Sequence, residues 1–237
     1  MQRYFASVIN NQVILQKDDI FHLTKVMRAK VGDYIEVVDE NHNAFLAVIK
    51  SVNPLIIEIQ EPILKNNELK TPVTLFFALA KSDKMELVIQ KATELGVHKV
   101  VLFQGIRSVV KFSRADFERK LPRFNSIAKE AAEQCHRECI PEISFISGIS
   151  GIVPYMCELN LFAYELNAGS TVELSNLLEK DYKSISVIIG PEGGFDEKEA
   201  TKLSGLGFKN ISLGKRILRC ETAASYAMSV LAFNLEK

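Results

Sequence analysis

The sequence predicts an α/β protein in which a short β-rich segment precedes a larger α/β domain. From about residue 72 onward, apolar runs typical of strands buried on both faces alternate with segments of helical periodicity. Such alternation favours a mainly parallel sheet with helices on its faces. Before that point, short β-branched and aromatic segments separated by Asn, Asp, Gly and Pro favour a small barrel.

Composition sets the outer limits of the interpretation. The 237 residues are 47% hydrophobic and 24% charged, which fits an ordinary soluble globular protein. No apolar run reaches membrane-spanning length, and the N-terminus lacks the pattern of a signal peptide. Four cysteines do not suggest a disulfide scaffold, so we expect a cytoplasmic protein. A formal net charge of zero argues against a uniformly basic coat and leaves room for a local basic face.

The N-terminal segment is expected to hold five short strands and one helix. The helix, at about residues 19–27, places Ile20, Leu23 and Val26 on one apolar stripe. The polar stretch at residues 65–72 is typical of a linker, so we expect a barrel over residues 1–70 and an α/β domain over residues 73–237. The strands are expected at residues 3–5, 13–15, 34–38, 44–49 and 55–59.

The α/β domain begins with a continuous apolar run at residues 73–79, as a central parallel strand does. Ser82 is expected to cap the helix that follows, and Gly96 to end it. Beyond it we expect a strand at residues 99–103, a long helix at about 114–137 and a strand at 161–164.

Two strand-turn-helix corners near the C-terminus are the strongest local signal. The apolar run 187–189 leads into the Gly/Pro cluster 190–194, and Asp196 is placed to cap a helix. A second strand, at 210–213, leads into the turn 214–219 and a last helix. Because ligands bind at the carboxyl ends of strands in open α/β sheets, both loops are expected at one binding edge. The pattern matches neither a P-loop nor a dinucleotide fingerprint.

The residues of these two corners resemble a known family. Two other segments, at residues 82–97 and 130–143, are also close to that family. The resemblance therefore extends over nearly the whole chain, with four separate motifs in the right order. The family is that of the bacterial small-subunit ribosomal RNA uridine-N3 methyltransferases, the RsmE family of the SPOUT superfamily. The corner motifs that carry the resemblance are Ile189-Gly190-Pro191-Glu192-Gly193-Gly194 and Leu213-Gly214-x-Arg216-Ile217-Leu218-Arg219-x-Glu221-Thr222.

The resemblance implies a fold and an activity. The fold is a PUA-like β-barrel followed by a SPOUT-type α/β domain with a deep C-terminal trefoil knot, and the family works as a homodimer. The activity is methylation of N3 of a specific uridine in the decoding region of 16S ribosomal RNA, within the small ribosomal subunit. S-adenosylmethionine is the implied methyl donor. The residues expected to bind it are Tyr164, Glu165, Ile189, Gly190, Pro191, Glu192, Gly193, Gly194, Leu213, Gly214, Ile217, Leu218 and Thr222.

The implied reaction requires removal of the N3 proton while negative charge spreads onto the ring carbonyls. Donors aimed at those oxygens or a base near N3 would assist it. Arg219 and Arg137 are candidate catalytic donors, with Arg107 near another strand end. Glu192 and Glu221 are the carboxylates placed to act as base or to pair with the arginines, and the sequence leaves that choice open.

RNA contacts are expected in two places. Arg3 and Arg28 lie in the N-terminal module that docks RNA in the resembling family, and are candidate phosphate contacts. Arg107 and Lys111 begin a basic run that continues to Arg123, which is a second candidate stripe. No metal is expected, because Cys135-His136-x-x-Cys139 lacks a second ligand pair at matching spacing.

Two alternatives remain open at this point. The chain is a non-catalytic RNA-binding protein if it keeps the fold and has lost the donor site. It is a superfamily member of another specificity if it acts on transfer RNA or on a ribose 2′-hydroxyl. Donor binding tests the first alternative, and identification of the modified nucleoside tests the second.

Overall fold

The computed structural model describes residues 1–164, 172–178 and 180–236, and the chain divides into two compact units. The first unit comprises Met1–Glu68 together with Lys129–Cys139. The second comprises Leu69–Ala128 and Ile140–Lys237. No helix among the described residues is long and apolar enough to cross a membrane.

The first unit is built on a curled six-stranded sheet, as expected for a PUA-like barrel. The sheet has the order β1-β4-β5-β6-β3-β2, with β1 parallel to β4 and the other pairs antiparallel. Register shifts along β5 bend the long β5–β6 pair, so the sheet wraps around an apolar core. The strands are β1 (Arg3–Phe5), β2 (Ser7–Ile9), β3 (Gln12–Ile14), β4 (Tyr34–Val38), β5 (Ala44–Val52) and β6 (Leu55–Ile63).

The helix expected at residues 19–27 is split into two helical forms. An α-helix, α1 (Lys17–Phe21), passes into a π-helical turn at His22–Val26. Leu23 is buried, whereas Ile20 and Val26 are exposed, because the wider turn moves the apolar positions off a common stripe.

Charged side chains also hold the first unit together. Lys129 lies 2.6 Å from an Asp19 carboxylate oxygen, and the carboxylate of Glu133 accepts a hydrogen bond from the backbone N–H of Phe5. The chain from Lys129 to Cys139 is thereby part of this unit, although it is distant in sequence.

The second unit is a seven-stranded sheet in which every pairing is parallel. Its order is β11-β13-β10-β12-β7-β8-β9. Along the central strand β7, Leu75 and Phe77 face one apolar core while Phe76 and Ala78 face another. The strands are β7 (Val73–Ala78), β8 (Lys99–Phe103), β9 (Glu142–Ile146), β10 (Leu159–Ala163), β11 (Val172–Glu173), β12 (Ile185–Ile189) and β13 (Lys209–Ser212).

Helices cover both faces of this sheet. They are α2 (Ser82–Glu94), α3 (Arg114–Gln134), α4 (Leu174–Leu177), α5 (Glu197–Gly205) and α6 (Cys220–Leu235). The expected cap by Ser82 is wrong. Ser82 is the first residue of α2, and its hydroxyl accepts a hydrogen bond from Lys120 at 3.1 Å instead. Gly96 does follow the end of α2, with a φ of +83° that suits glycine.

The strand order brings the two C-terminal corners to one edge, which confirms that expectation. Strands β12 and β13 both pair in parallel with β10, so their carboxyl ends flank the carboxyl end of β10. Asp196 caps α5 in a capping box, in which its side chain accepts from Lys198 N–H and Glu199 accepts from Asp196 N–H. The strand order also contains β9, a strand that the sequence pattern did not reveal.

Candidate active site

The loop after β12 is held in place by close packing under Gly190. Phe195 is almost fully buried and packs edge-on against Phe162 and Tyr164, with ring centroids 6.0 and 6.2 Å away. A Cβ at Gly190 would stand 3.1 Å from the Phe195 ring, a tight contact that the ring would have to shift to accommodate. Gly194 closes the turn by donating its N–H to the Pro191 carbonyl at 2.8 Å.

Arg107, from the segment after β8, lies against the same loop. Its guanidinium contacts the Gly193 carbonyl and an Asp196 carboxylate oxygen, each at 3.4 Å. A Cβ at Gly193 would lie 3.2 Å from Arg107 Cβ, so glycine permits the close approach. The neighbouring backbone N–H of Ile106 donates to Glu199, the residue that completes the capping box of α5.

The loop after β13 turns at Gly214, where φ is +100°. The Gly214 N–H donates to the Ser212 hydroxyl at 3.2 Å, which closes the turn locally. The loop then runs to Arg219, the residue before the first turn of α6. Within the described residues, no hydrogen bond or ion pair engages the exposed Arg219 guanidinium, which leaves it available to a ligand.

The two loops together enclose a pocket of about 660 Å³. This volume lies in the range of small-molecule sites, roughly 300–1,000 Å³. Tyr164 and Ala163 close one side at the end of β10, and Arg107 lies at the rim of the first loop. Lining residues from the two loops include residues 189–195 and 211–220.

One ammonium group joins the two corner carboxylates. Lys84, in the first turn of α2, lies 3.1 Å from a Glu192 carboxylate oxygen and 3.4 Å from one of Glu221. The Cys220 thiol donates a hydrogen bond to Glu221 at 3.3 Å. The cluster therefore contains two carboxylates, one cation and one neutral thiol.

The pKa values of this cluster follow from these contacts. The hydrogen bond to Glu192 raises the pKa of Lys84, and the negative charges of both glutamates act in the same direction. Burial alone would raise the pKa of Glu221. Hydrogen bonds from its own backbone N–H and from Cys220, with the charge of Lys84, nevertheless hold it below its usual value. Burial, followed by the hydrogen bond to Glu221, raises the pKa of the Cys220 thiol to about 12. Lys84 and Glu221 are therefore charged at neutral pH, and the thiol of Cys220 is protonated.

The structure brings most of the expected donor-binding residues into the pocket lining. Ile217 is 83% exposed there, so it is not part of the core. Thr222 lies exposed in the first turn of α6 and outside the lining, and its contact with the donor stays a prediction. Glu165 lies outside the described residues. Those that do line the pocket are Tyr164, Ile189, Gly190, Pro191, Glu192, Gly193, Gly194, Leu213, Gly214, Ile217 and Leu218.

The expected catalytic residues separate into two groups. Arg219 and Glu192 line the pocket, and Glu221 adjoins it through Lys84. Arg137 does not line the pocket. It is 3% exposed and paired with Glu68 inside the first unit, and its catalytic role stays a prediction.

The residues expected to contact RNA differ in how exposed they are. Arg3 is 2% exposed and pairs with Glu36 and Glu138, which occupy its guanidinium, and its role as a phosphate contact stays a prediction. Arg28 and Lys111 are exposed, and their contact with RNA stays a prediction, as does that of Arg107.

Lys84 is the residue that the sequence analysis missed. It lies within the similar segment 82–97, between Ser82 and Met85, yet a single lysine near a helix start carries no distinctive signal in the sequence. Only the spatial approach of α2 to both corner loops identifies it.

Two family models give the class of this protein, an RNA methyltransferase with an additional PUA domain. Residues 67–232 match the family model described as an RNA methyltransferase domain, and residues 15–61 match an RNA methyltransferase PUA domain. The chain is 33% identical to ribosomal RNA small subunit methyltransferase E of Bacillus subtilis, across all of this chain and 98% of that protein. It belongs to the ribosomal RNA small subunit methyltransferase E family.

Two further relatives agree with this assignment. The protein of the same name from Buchnera aphidicola of Acyrthosiphon pisum is 33% identical, over 94% of this chain and 88% of its own length. A solved structure of the Neisseria gonorrhoeae protein of that name, bound to S-adenosyl methionine, superposes with a TM-score of 0.87 at 26% identity. That match covers 98% of this chain and 97% of the gonococcal chain.

Proposed function

We propose that this protein transfers a methyl group from S-adenosylmethionine to N3 of a uridine in small-subunit ribosomal RNA. The observation that carries the proposal is the pocket built from both corner loops, with Arg219 and Glu192 in its lining. The resemblance to the uridine-N3 methyltransferases supports the choice of atom. We further propose a cytoplasmic homodimer acting on 16S ribosomal RNA in the small subunit, with a trefoil knot in the α/β domain.

The domain division is part of the proposal. Residues 1–70 form the RNA-docking module, with Arg28 as a phosphate contact, and residues 73–237 form the methyltransferase domain. Arg107 and Lys111 extend the RNA surface on the second domain. These phosphate contacts are proposed from exposed positive charge, which binds the RNA backbone without reading its sequence.

The pocket fits S-adenosylmethionine on its own geometry. At Gly194 and Gly214, no atom of the described residues lies within 4 Å of the position that a Cβ would take. Both glycines have a positive φ, at which other residues would be strained. Because they carry no side chain, their backbone lies open to a ligand. Leu213 and Leu218 supply apolar walls, and Tyr164 borders the same space. These residues would hold the donor, which supplies an electrophilic methyl group on a sulfonium.

The chain's own residues then act on the uracil. Glu192 accepts the N3 proton, since it is the corner carboxylate that lines the pocket. Arg219 donates hydrogen bonds to a ring carbonyl oxygen, where negative charge develops. The walls of the pocket exclude water and hold N3 in line with the methyl group, which lowers the entropy cost of the encounter.

The test is methyl transfer from labelled S-adenosylmethionine to small ribosomal subunits that lack the modification, followed by nucleoside analysis. Wild type should yield N3-methyluridine. Arg219→Ala should bind the donor but lose about 100-fold in rate, the scale of one lost oxyanion donor. Lys91→Ala, which removes a cation paired with Glu94 on α2, serves as the control and should match wild type.

Each other outcome has a definite meaning. Labelled nucleoside other than N3-methyluridine contradicts the uridine-N3 assignment and supports the ribose or transfer-RNA alternative. Donor binding without transfer to any RNA contradicts methyltransferase activity on these substrates. Absence of both donor binding and transfer favours a non-catalytic RNA-binding protein.

A further inference from the structure

Lys84 occupies a position that helix stability does not favour. It lies in the first turn of α2, where the positive end of the helix dipole disfavours a cation. Two carboxylates offset this, Glu192 at 3.1 Å and Glu221 at 3.4 Å. The lysine side chain is only 22% exposed, so its charge is partly withdrawn from solvent. This arrangement indicates a role for the ammonium at the corners rather than within its own helix.

The two carboxylates differ in how they are held. Glu221 lies in the first turn of α6, where the helix dipole favours an anion, and it also accepts from the Cys220 thiol. Glu192 lies on the loop after β12, and within the described residues Lys84 is the group that hydrogen-bonds its carboxylate. Glu221 is thus the anchored member of the pair, and Glu192 is the member that lines the pocket.

We propose that Lys84, anchored by Glu221, is a positioning residue that holds Glu192 at the pocket as an ionised proton acceptor. The inference rests on the proposed function and divides the two glutamates, which the sequence left equivalent, into an acceptor and an anchor. An ammonium beside a carboxylate favours its charged form and fixes its direction.

The proton and electron balance of the step is complete with these groups. The N3–H bond breaks and its proton passes to a Glu192 oxygen. The N3 electron pair forms the new N–C bond, and the electron pair of the breaking C–S bond stays on sulfur. After the transfer, Glu192 returns the proton to water.

The experiment compares Lys84→Met, which keeps a chain of similar length without charge, with Lys84→Arg, which keeps the charge. Lys91→Met is the matched control, because Lys91 lies on the same helix and pairs with Glu94 at 2.9 Å outside the pocket. The measurements are kcat, the KM for S-adenosylmethionine and the pH profile of kcat, with thermal unfolding to confirm that each variant is folded.

Lys84→Met is expected to lower kcat by about 100-fold, within the range for loss of acid–base assistance, with the donor KM changed less than about threefold. The acid limb of its pH profile should also shift, because the ammonium that contacts the acceptor carboxylate is absent. Lys84→Arg should keep kcat within about threefold of wild type, and Lys91→Met should match it.

The inference is overturned if folded Lys84→Met retains wild-type kcat and an unshifted pH profile. It is also overturned if Lys84→Arg is as impaired as Lys84→Met, because the charge is then not the relevant property. If Lys84→Met does not fold, Lys84→Gln gives the same two readouts while keeping a hydrogen-bond donor. Absence of transfer by wild type would instead overturn the proposed function, and the inference with it.

Discussion

Replacing Gly214 by alanine isolates the backbone strain of the loop after β13. Gly214 has a φ of +100°, and an added Cβ would meet no atom of the described residues within 4 Å. Steric clash with neighbouring residues therefore contributes nothing to the cost of the substitution. The remaining cost is that of placing an L-residue at this φ, about 1–2 kcal/mol.

The matched control is Gly205→Ala. Gly205 is the last residue of α5, and an added Cβ there also meets nothing within 4 Å among the described residues, without a positive φ. Alanine in a helical position should stabilise by about 0.5–1 kcal/mol. The two variants add the same methyl group to open space and should shift stability in opposite directions.

The assay is calorimetric unfolding with S-adenosylmethionine binding measured in parallel. If the strained loop persists, Gly214→Ala lowers the melting temperature by about 2–6 °C for a chain of this size. If the loop relaxes in the free protein, the same free energy appears as donor affinity weakened about tenfold. A Gly214→Ala protein that matches wild type in both measurements would refute the reasoning, as would equal effects at Gly205.

The remaining predictions concern a buried ring in the second unit, and an exposed ring and a buried carboxylate in the first unit. Phe195→Ala should destabilise the α/β unit by about 3–5 kcal/mol, seen in urea unfolding, because the ring is almost fully buried. Phe21→Ala, at a 61% exposed ring, should change stability by less than about 0.5 kcal/mol. Burial raises the pKa of Glu133 to about 7; the charge of Asp19 adds to this effect, and the charge of Lys129 opposes it. Because the pKa is higher in the folded state, protonated Glu133 contributes stability. This contribution is fully present below pH 4.5, the ordinary pKa, and is lost as the pH rises through about 7. Glu133→Gln should therefore stabilise more at pH 8 than at pH 5 in thermal unfolding, and equal effects at both pH values would contradict it.

The corners were predictable because their signals are local. An apolar run, a glycine turn and a capping Asp196 all lie within about ten residues, and the parallel sheet follows from repeated alternation. The extent of the pocket lining follows in turn, since loops at the carboxyl ends of neighbouring strands share one edge. Local chemistry thus determined most of the site before any tertiary contact was known.

Contacts distant in sequence were not predictable in this way. Lys84 reaches Glu192 because β12 pairs directly with β7, so the helix after β7 begins beside the loop after β12. The burial of Arg3 depends on Glu138, which lies 135 residues away and carries no sign of this role in its own surroundings. Pairing order decides such contacts, and an isolated sequence pattern does not contain it.

The carboxylate of Glu199 fixes two loops with one side chain. One of its oxygens accepts from Ile106 N–H and the other from Asp196 N–H, each at 3.0 Å. Glutamine would turn an amide N–H toward one of these donors, and aspartate is shorter by a methylene. Because one carboxylate bonds both backbone N–H groups, folding fixes the spacing between the loop that holds Arg107 and the loop that ends at Asp196. Less conformational freedom is then left at this rim for a ligand to remove on binding.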